Sequence, residues 1–293
     1  MVNFYHKIID YYHQFFYTDT SFVKKQFKKE LDRRLDLSKP VTFDEKLQWL
    51  KLNWRDPLGT LCVDKYTVRT YVAEKADKKY LNELLGIYEH VSEIDLNTLP
   101  NKFVLKGTHG SGYNIICHNK DKPNWKNEFK KMDGWLHRNY YWQSREWFYK
   151  EVKPRIICEA FLTNDIGSRD LIDYKFYCFN GVPKYCQVIK DRSDNETIDF
   201  YDINWNLTSC RRLTKSKQYP NSSGIDKPLN YEEMLELVVK LSGTFPFVRV
   251  DLYNIDGRII FGELTFYPLS GLGKFYPEEW NKVLGDLLVL PRK

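Results

Sequence analysis

The stretch that most restricts the fold of this chain is FVRVDLYNIDGRIIFGELTFYP, residues 247–268. Two apolar runs rich in β-branched and aromatic residues flank an Asn-Ile-Asp-Gly turn, the signature of an antiparallel hairpin. Alternation along the first run places Arg249 and Asp251 on one face and Val248, Val250 and Leu252 on the other. The same rule gives Phe261, Glu263 and Thr265 a common face on the second run. Flanks this apolar leave both carboxylates partly desolvated, which is costly unless they are ion-paired or metal-bound. Two carboxylates and a hydroxyl on adjacent strands suit Mg²⁺, a hard cation that takes its other ligands from water and phosphate. A ladder of Arg–Asp and Arg–Glu salt bridges suits the same residues, and the stretch alone does not choose.

Further strand-like runs begin near residue 155: RIICEAFL, YKFYCFNGVPKYCQVI and TIDFYDINWNLT, with Asn180-Gly181 and Asp256-Gly257 as turns. Tyr231 to Ser242 reads as a helix. Residues 1 to about 36 read as helical and basic, with Phe22, Phe27, Leu31 and Leu35 roughly along one side. Such a helix packs on the body of a protein or lies on an anionic membrane surface. Thr42 and Glu45 form a capping box that opens a helix, and VDKYTVRTYVAEK reads as another, with Asp64 near its start. Residues 124–150 read as helical and crowded with aromatics. Helices followed by antiparallel strands define an α+β fold. The 42% hydrophobic content supports a substantial core, and 293 residues suit a two-lobed unit or two or three packed subdomains. Six cysteines without a C-x-x-C pair, several in apolar runs, read as buried reduced thiols. The net charge of +6 is too mild and dispersed for nucleic acid. No signal peptide and no run of about 18 apolar residues is evident, so a cytoplasmic protein is expected.

FVLKGTHGSGYN, residues 103–114, carries a strand into Lys106 and then into a loop with Gly107, Gly110 and Gly112. Glycines let backbone N–H groups approach phosphate oxygens closely, while Lys106 adds a positive point charge and Ser111 a hydroxyl. The lysine precedes the glycines, so this is no Walker P-loop, and a simple turn is the plainer reading. His109 either points toward a ligand or braces the turn. Glu159 sits in an apolar strand, and Lys175 in another, DYKFYCFNG, before a tight turn. Each has a plain reading as a solvent-facing strand residue. The aromatic run with Trp135, Tyr140, Tyr141, Trp142 and Trp147 supplies either core or a surface that stacks on sugar rings.

Taken in order, Lys65, Lys106 before GSG, Glu159 in CEAFL, Lys175 in DYKF, and Arg249, Asp251, Glu263 and Thr265 resemble the ATP-grasp arrangement. The pattern is most similar to the TupA-like ATP-grasp family of bacterial surface-polysaccharide synthesis, from VTFDEKLQWLKL through VRVDLYNIDGRIIFGELTFYPLSGL. The resemblance implies a helical region over 1–100, a small lobe over 101–155 and a larger sheet lobe over 156–293, with ATP clamped by the two lobes. It implies that Lys65, Lys106 and Lys175 contact phosphates and that His109, Gly110, Ser111 and Gly112 belong to the loop that closes over them. Glu159, Phe161 and Leu162 would form the adenine hinge. Asp251, Glu263 and Thr265 would hold Mg²⁺, with Thr265 standing where the family usually has asparagine, and Arg249 would steady the transferring phosphoryl group or the acyl phosphate.

The implied activity is ATP- and Mg²⁺-dependent ligation of a carboxylate to an amine through an acyl phosphate, with Arg249, Lys106 and Lys175 as the catalytic cations. A uronic-acid-type sugar or polysaccharide precursor would supply the carboxylate, and an amino acid or other amine the nucleophile. Capsule, O-antigen or teichuronopeptide synthesis is the implied setting, at the inner face of the membrane or free of it. The rivals are a glycosyltransferase, a label the family often carries, and a sugar kinase on the same fold. The absence of a strict D-x-D triplet counts modestly against the transferase.

Overall fold

The computed structural model describes residues 17–163, 170–192, 196–214 and 224–292. The helices are α1 (Asp19–Leu31), α2 (Phe43–Asn53), α3 (Pro57–Val63), α4 (Val68–Lys75), α5 (Trp125–Leu136), α6 (Tyr141–Ser144), α7 (Tyr231–Ser242) and α8 (Trp280–Leu287). The strands are β1 (Leu84–Tyr88), β2 (Phe103–Gly107), β3 (Asn114–Cys117), β4 (Ile156–Ala160), β5 (Asp173–Phe179), β6 (Val182–Lys190), β7 (Thr197–Asp202), β8 (Arg212–Thr214), β9 (Phe247–Ile255), β10 (Arg258–Thr265) and β11 (Lys274–Tyr276). The α+β expectation holds. The chain divides into two compact units.

The first unit holds residues 55–74 and 81–162 together with the run that ends at Asp19. Its sheet has the order β1-β4-β2-β3, antiparallel throughout. β4, grouped by chain order with the later strands, thus belongs to this sheet. Phe103, Leu105, Ile115, Cys117, Ile156 and Cys158 form one apolar face, packed with Met132 and Trp135 of α5. Trp135 stacks on Tyr113 with ring centroids 5.2 Å apart. The aromatic region after α5 is broken where one helix was expected. Arg145 takes a left-handed conformation (φ 57°) after α6, and a 3₁₀ turn follows at Trp147–Tyr149.

The second unit holds residues 20–54, 75–80 and the chain from Thr163 onward. Its main sheet is antiparallel with the order β10-β9-β5-β6-β7. Hairpin turns fall where the sequence sets them: Asn180 (φ 49°) and Gly181 (φ 79°), then Asp256 (φ 51°) and Gly257 (φ 86°), the paired positive dihedrals of tight hairpin turns. One face buries Tyr174, Phe176, Cys186, Val188, Val250 and Leu252, and Tyr231 of α7 lies 6.1 Å from Phe176, ring to ring. The other face is closed at one end by Phe43 of α2, whose ring meets Tyr177, Phe179, Phe247 and Phe275 at 4.9–6.4 Å. A buried aromatic of this kind is worth about 3–5 kcal/mol against alanine.

α2 opens as expected, with Glu45 Oε2 accepting from the Thr42 N–H at 3.0 Å. α1 is the described part of the basic helix; residues 1–16 lie outside the described residues. Phe22, Val23 and Phe27 are buried, so the apolar side of α1 is spent on the protein's own core. The six cysteines are buried and none forms a disulfide. Among the described residues, no helix is long and apolar enough to cross a membrane.

Candidate functional site

In the first unit the chemistry gathers on the sheet face opposite the α5 core. β2 and β4 pair with Lys106 opposite Ile157 and Val104 opposite Glu159, so Lys106 and Glu159 are diagonal neighbours. Lys106 Nζ donates to Glu159 Oε2 at 2.6 Å. Arg69 of α4 donates to Glu159 Oε1 at 3.3 Å and to the Asn82 carbonyl at 2.7 Å. The Glu159 side chain is 10% exposed, so both of its oxygens are committed to cations. Ile116 stands beside them on β3, 59% exposed.

The glycine loop closes the β2–β3 hairpin, with Gly107 N–H donating to the Tyr113 carbonyl at 2.8 Å. Gly112 has φ +76°, a conformation that glycine adopts without strain. Gly110 is required for space, because a Cβ there would lie 2.7 Å from the Tyr113 ring. Lys65 Nζ donates to the Gly110 carbonyl at 2.7 Å, and Lys65 N–H to the Thr108 carbonyl at 3.2 Å. Lys65 therefore braces the loop. His109 is 2% exposed, and its Nε2 lies 2.8 Å from the Trp135 carbonyl. A carbonyl can only accept, so Nε2 carries the proton and Nδ1 is the bare nitrogen. Burial pulls the His109 pKa below its usual value. Its Nδ1 and the Thr108 hydroxyl are both buried without a hydrogen-bond partner, so the loop holds polar capacity in reserve. Ser111 and Gly112 are exposed at the loop tip. Phe161, beyond β4, packs its ring 4.9 Å from His118, and Leu162 is half-buried.

In the second unit a polar row crosses four strands: Glu263, Asp251, Lys175 and Gln187 are successive partners on β10, β9, β5 and β6. Arg249 and Thr265 face each other one step along. The expectation for β9 holds, while that for β10 needs correcting. Phe261 pairs with Leu252 and Glu263 with Asp251, so a β-bulge at Gly262 interrupts the alternation. Phe261 is buried at 7% on the core side, whereas Glu263 and Thr265 share the face of Asp251. The bulge brings the two carboxylates directly opposite one another, an arrangement that is destabilising without counter-charge.

Counter-charge is present. Arg249 Nε donates to Asp251 Oδ1 and its Nη2 to Oδ2, each at 2.7 Å. Nη2 also reaches Glu263 Oε1 at 3.2 Å and Thr265 Oγ1 at 3.1 Å. Lys175 Nζ donates to Asp251 Oδ2 at 2.5 Å and lies 3.2 Å from Asp173, which pairs with Arg192 at 2.7 Å. Burial alone would lower the Arg249 pKa, but the charge and hydrogen bonds of Asp251 outweigh it and raise it. The ladder thus sets three cations against three carboxylates.

The residues fit a divalent cation by donor type. Asp251, Glu263 and Thr265 are hard oxygen donors on one face, and Glu263 accepts from the Thr265 hydroxyl at 2.9 Å. Among the described residues no group of three or more His, Cys, Asp or Glu is arranged around a metal position. A two-carboxylate set agrees with Mg²⁺, which is usually held by one or two carboxylates plus substrate phosphates.

Sequence reasoning missed Arg69, Asp173, Gln187 and Arg192. Asp173 had a signal, its i, i+2 spacing from Lys175 on one strand face. Arg69 had none, because its role depends on the order of strands.

One antiparallel sheet thus carries a glycine loop beside a lysine–carboxylate pair, and the other a carboxylate pair bridged by arginine. The model of the TupA-like ATP-grasp family matches residues 45–289, and the chain belongs to that family. Among curated proteins no sequence match was found. Solved structures give remote likenesses. D-alanine–D-alanine ligase from Bacillus anthracis, complexed with ATP, is 13% identical with a TM-score of 0.47, over 78% of this chain and 63% of that one. The ATP-grasp ligase PsnB, complexed with minimal precursor, Mg and ADP, is 13% identical with a TM-score of 0.41, over 83% and 64%. D-alanine–D-alanine ligase from Helicobacter pylori is 13% identical with a TM-score of 0.43, over 86% and 68%. The chain spans less than two thirds of the first two.

Proposed function

We propose that the protein is an ATP- and Mg²⁺-dependent carboxylate–amine ligase acting in surface-polysaccharide synthesis. The carboxylate, of a uronic-acid-type sugar or similar acid, attacks the γ-phosphate of ATP and releases ADP. The acyl phosphate is then displaced by an amine, giving an amide and inorganic phosphate. Family membership carries this reading, with the Arg249–Asp251–Glu263 arrangement as its structural support.

In this reading the first unit supplies Lys106 to the phosphates and the loop from His109 to Gly112, braced by Lys65. Phe161 and Leu162 serve the adenine. The second unit supplies Lys175 and Arg249 to the transferring group, and Asp251, Glu263 and Thr265 would hold the Mg²⁺ that neutralises phosphate charge. Catalysis of this kind is positioning plus electrostatic stabilisation and needs no side-chain nucleophile. The test is release of ADP and phosphate across a panel of carboxylates and amines, run beside a panel of nucleotide sugars. Nucleotide-sugar consumption with no ADP formed under any pairing would overturn the ligase in favour of a glycosyltransferase. ADP formed with a sugar alone, without an amine, would make it a kinase.

A further inference from the structure

The guanidinium of Arg249 touches every oxygen-bearing group assigned above to the metal: both oxygens of Asp251, Glu263 Oε1 and Thr265 Oγ1. Lys175 adds a second contact to Asp251 Oδ2. Asp251 is 3% exposed and Lys175 7%, so the pairs on Asp251 are not loose surface pairs that water would exchange freely, whereas the Glu263 side chain is 44% exposed. A dication that approaches alone meets Asp251 already engaged by two fixed positive charges and Glu263 by one of them. To bind Asp251 it must drive both cations away, and a buried charge stripped of its partner is strongly disfavoured.

We propose that Arg249 and Lys175 form a gate on the metal position. The divalent cation is admitted only with a polyanion, the triphosphate, that takes the two cations over as it arrives. The proposal rests on the ligase reading for the identity of that polyanion, but the gate itself is a property of the ladder. It makes Arg249 and Lys175 positioning groups for the metal as well as contacts for phosphate. The ladder is charge-balanced with its own residues, so free Mg²⁺ does not occupy the carboxylates in advance, and metal and nucleotide enter as one species.

The test uses Mn²⁺ as a spectroscopic stand-in, with the full chain and no nucleotide. Binding is read from loss of the free-ion paramagnetic resonance signal. The wild type is expected to bind Mn²⁺ at least about tenfold more weakly than Arg249→Met, within the range typical of coupled sites. Lys175→Met, which leaves the Arg249 fork in place, should give a smaller gain. The gain in each variant should vanish when Glu263→Gln is added. Circular dichroism melts establish that each variant is folded, and Lys175→Met serves if Arg249→Met is not.

Two results overturn the gate. One is wild-type binding of Mn²⁺ alone, abolished by Glu263→Gln and as tight as in the variants. The other is no gain in a folded variant of either kind. A separate titration of the wild type with a non-hydrolysable ATP analogue and Mg²⁺ reads the nucleotide assignment. If that analogue fails to bind, the ligase reading falls while the Mn²⁺ arms still decide the gate.

Discussion

Replacing Lys106 by methionine separates what this lysine does for the fold from what it does for the nucleotide. The Lys106–Glu159 contact is 2.6 Å long, with side chains 28% and 10% exposed. Removing one partner of a buried ion pair typically costs about 3–5 kcal/mol. Here Arg69 remains on the other oxygen at 3.3 Å, so the carboxylate keeps a cation. The expected loss falls to about 1.5–2 kcal/mol, the lower range for a hydrogen bond to a charged group. For a chain of this size that lowers Tm by roughly 3–8 °C. In the proposed phosphate role, the nucleotide would lose a charge-assisted contact worth about 2–3 kcal/mol, or roughly 30–150-fold in Kd. Adding Glu159→Gln then splits the two effects. In the double variant Arg69 keeps the Asn82 carbonyl and gains only an amide oxygen in place of its carboxylate, so part of the Tm should return, yet the protein still lacks the ammonium and should bind the ATP analogue as weakly as Lys106→Met. Calorimetric titration at fixed salt and a melting curve measure both. An affinity within twofold of wild type in Lys106→Met, or affinity that returns with Tm in the double variant, refutes the phosphate role.

Three other outcomes follow from the same geometry. His109 has a folded pKa held by burial below its ordinary 6.5, so the unfolded chain binds the proton more readily. Its contribution is complete above about pH 6.5 and is lost as pH falls toward the folded value; His109→Gln should flatten that slope in urea unfolding between pH 7 and 5. Gly112→Ala should cost only the left-handed strain of about 1–2 kcal/mol, because a Cβ there meets nothing within 4 Å. Gly110→Ala should cost more, since its Cβ would sit 2.7 Å from the Tyr113 ring, and equal midpoints for the two would contradict the packing. Gly271→Ala combines a φ of +64° with a Cβ 2.5 Å from Gln48 Nε2, the amide that donates to the Ser270 and Gly271 carbonyls. The expected loss is about 2–4 kcal/mol, read as a drop in Tm.

What the sequence made legible follows from how local each determinant is. The hairpin turns at Asn180-Gly181 and Asp256-Gly257 are readable because positive φ at both positions admits few residue types. Helix α7 is readable because its apolar positions repeat at helical spacing. Arg249 and Asp251 share a face because β9 is a regular strand, and a two-residue period needs no tertiary information. The same rule fails on β10 because it assumes a uniform pleat. The bulge at Gly262 adds a residue, reverses Phe261 to the core side and seats Glu263 opposite Asp251. The glycine itself was the visible signal, since an isolated glycine within a strand pattern often marks a bulge.

The pairing of Lys106 with Glu159, 53 residues away, was not legible as a contact. It requires β4 to lie beside β2 in the sheet order β1-β4-β2-β3, and neither strand records its neighbour. Family resemblance named both residues, and the structure adds that both carboxylate oxygens of Glu159 are engaged, by Lys106 and Arg69. A motif fixes which residues recur; the partners that set their charge are fixed by strand order and register. The carboxylates of Glu159 and Asp251 are each held by two cations. Anion binding at either place is therefore a competition, in which a phosphate must draw a lysine from a carboxylate already bonded to it. Under the proposed ligase reading, a ligand carrying several negative charges is expected to succeed where a single carboxylate does not.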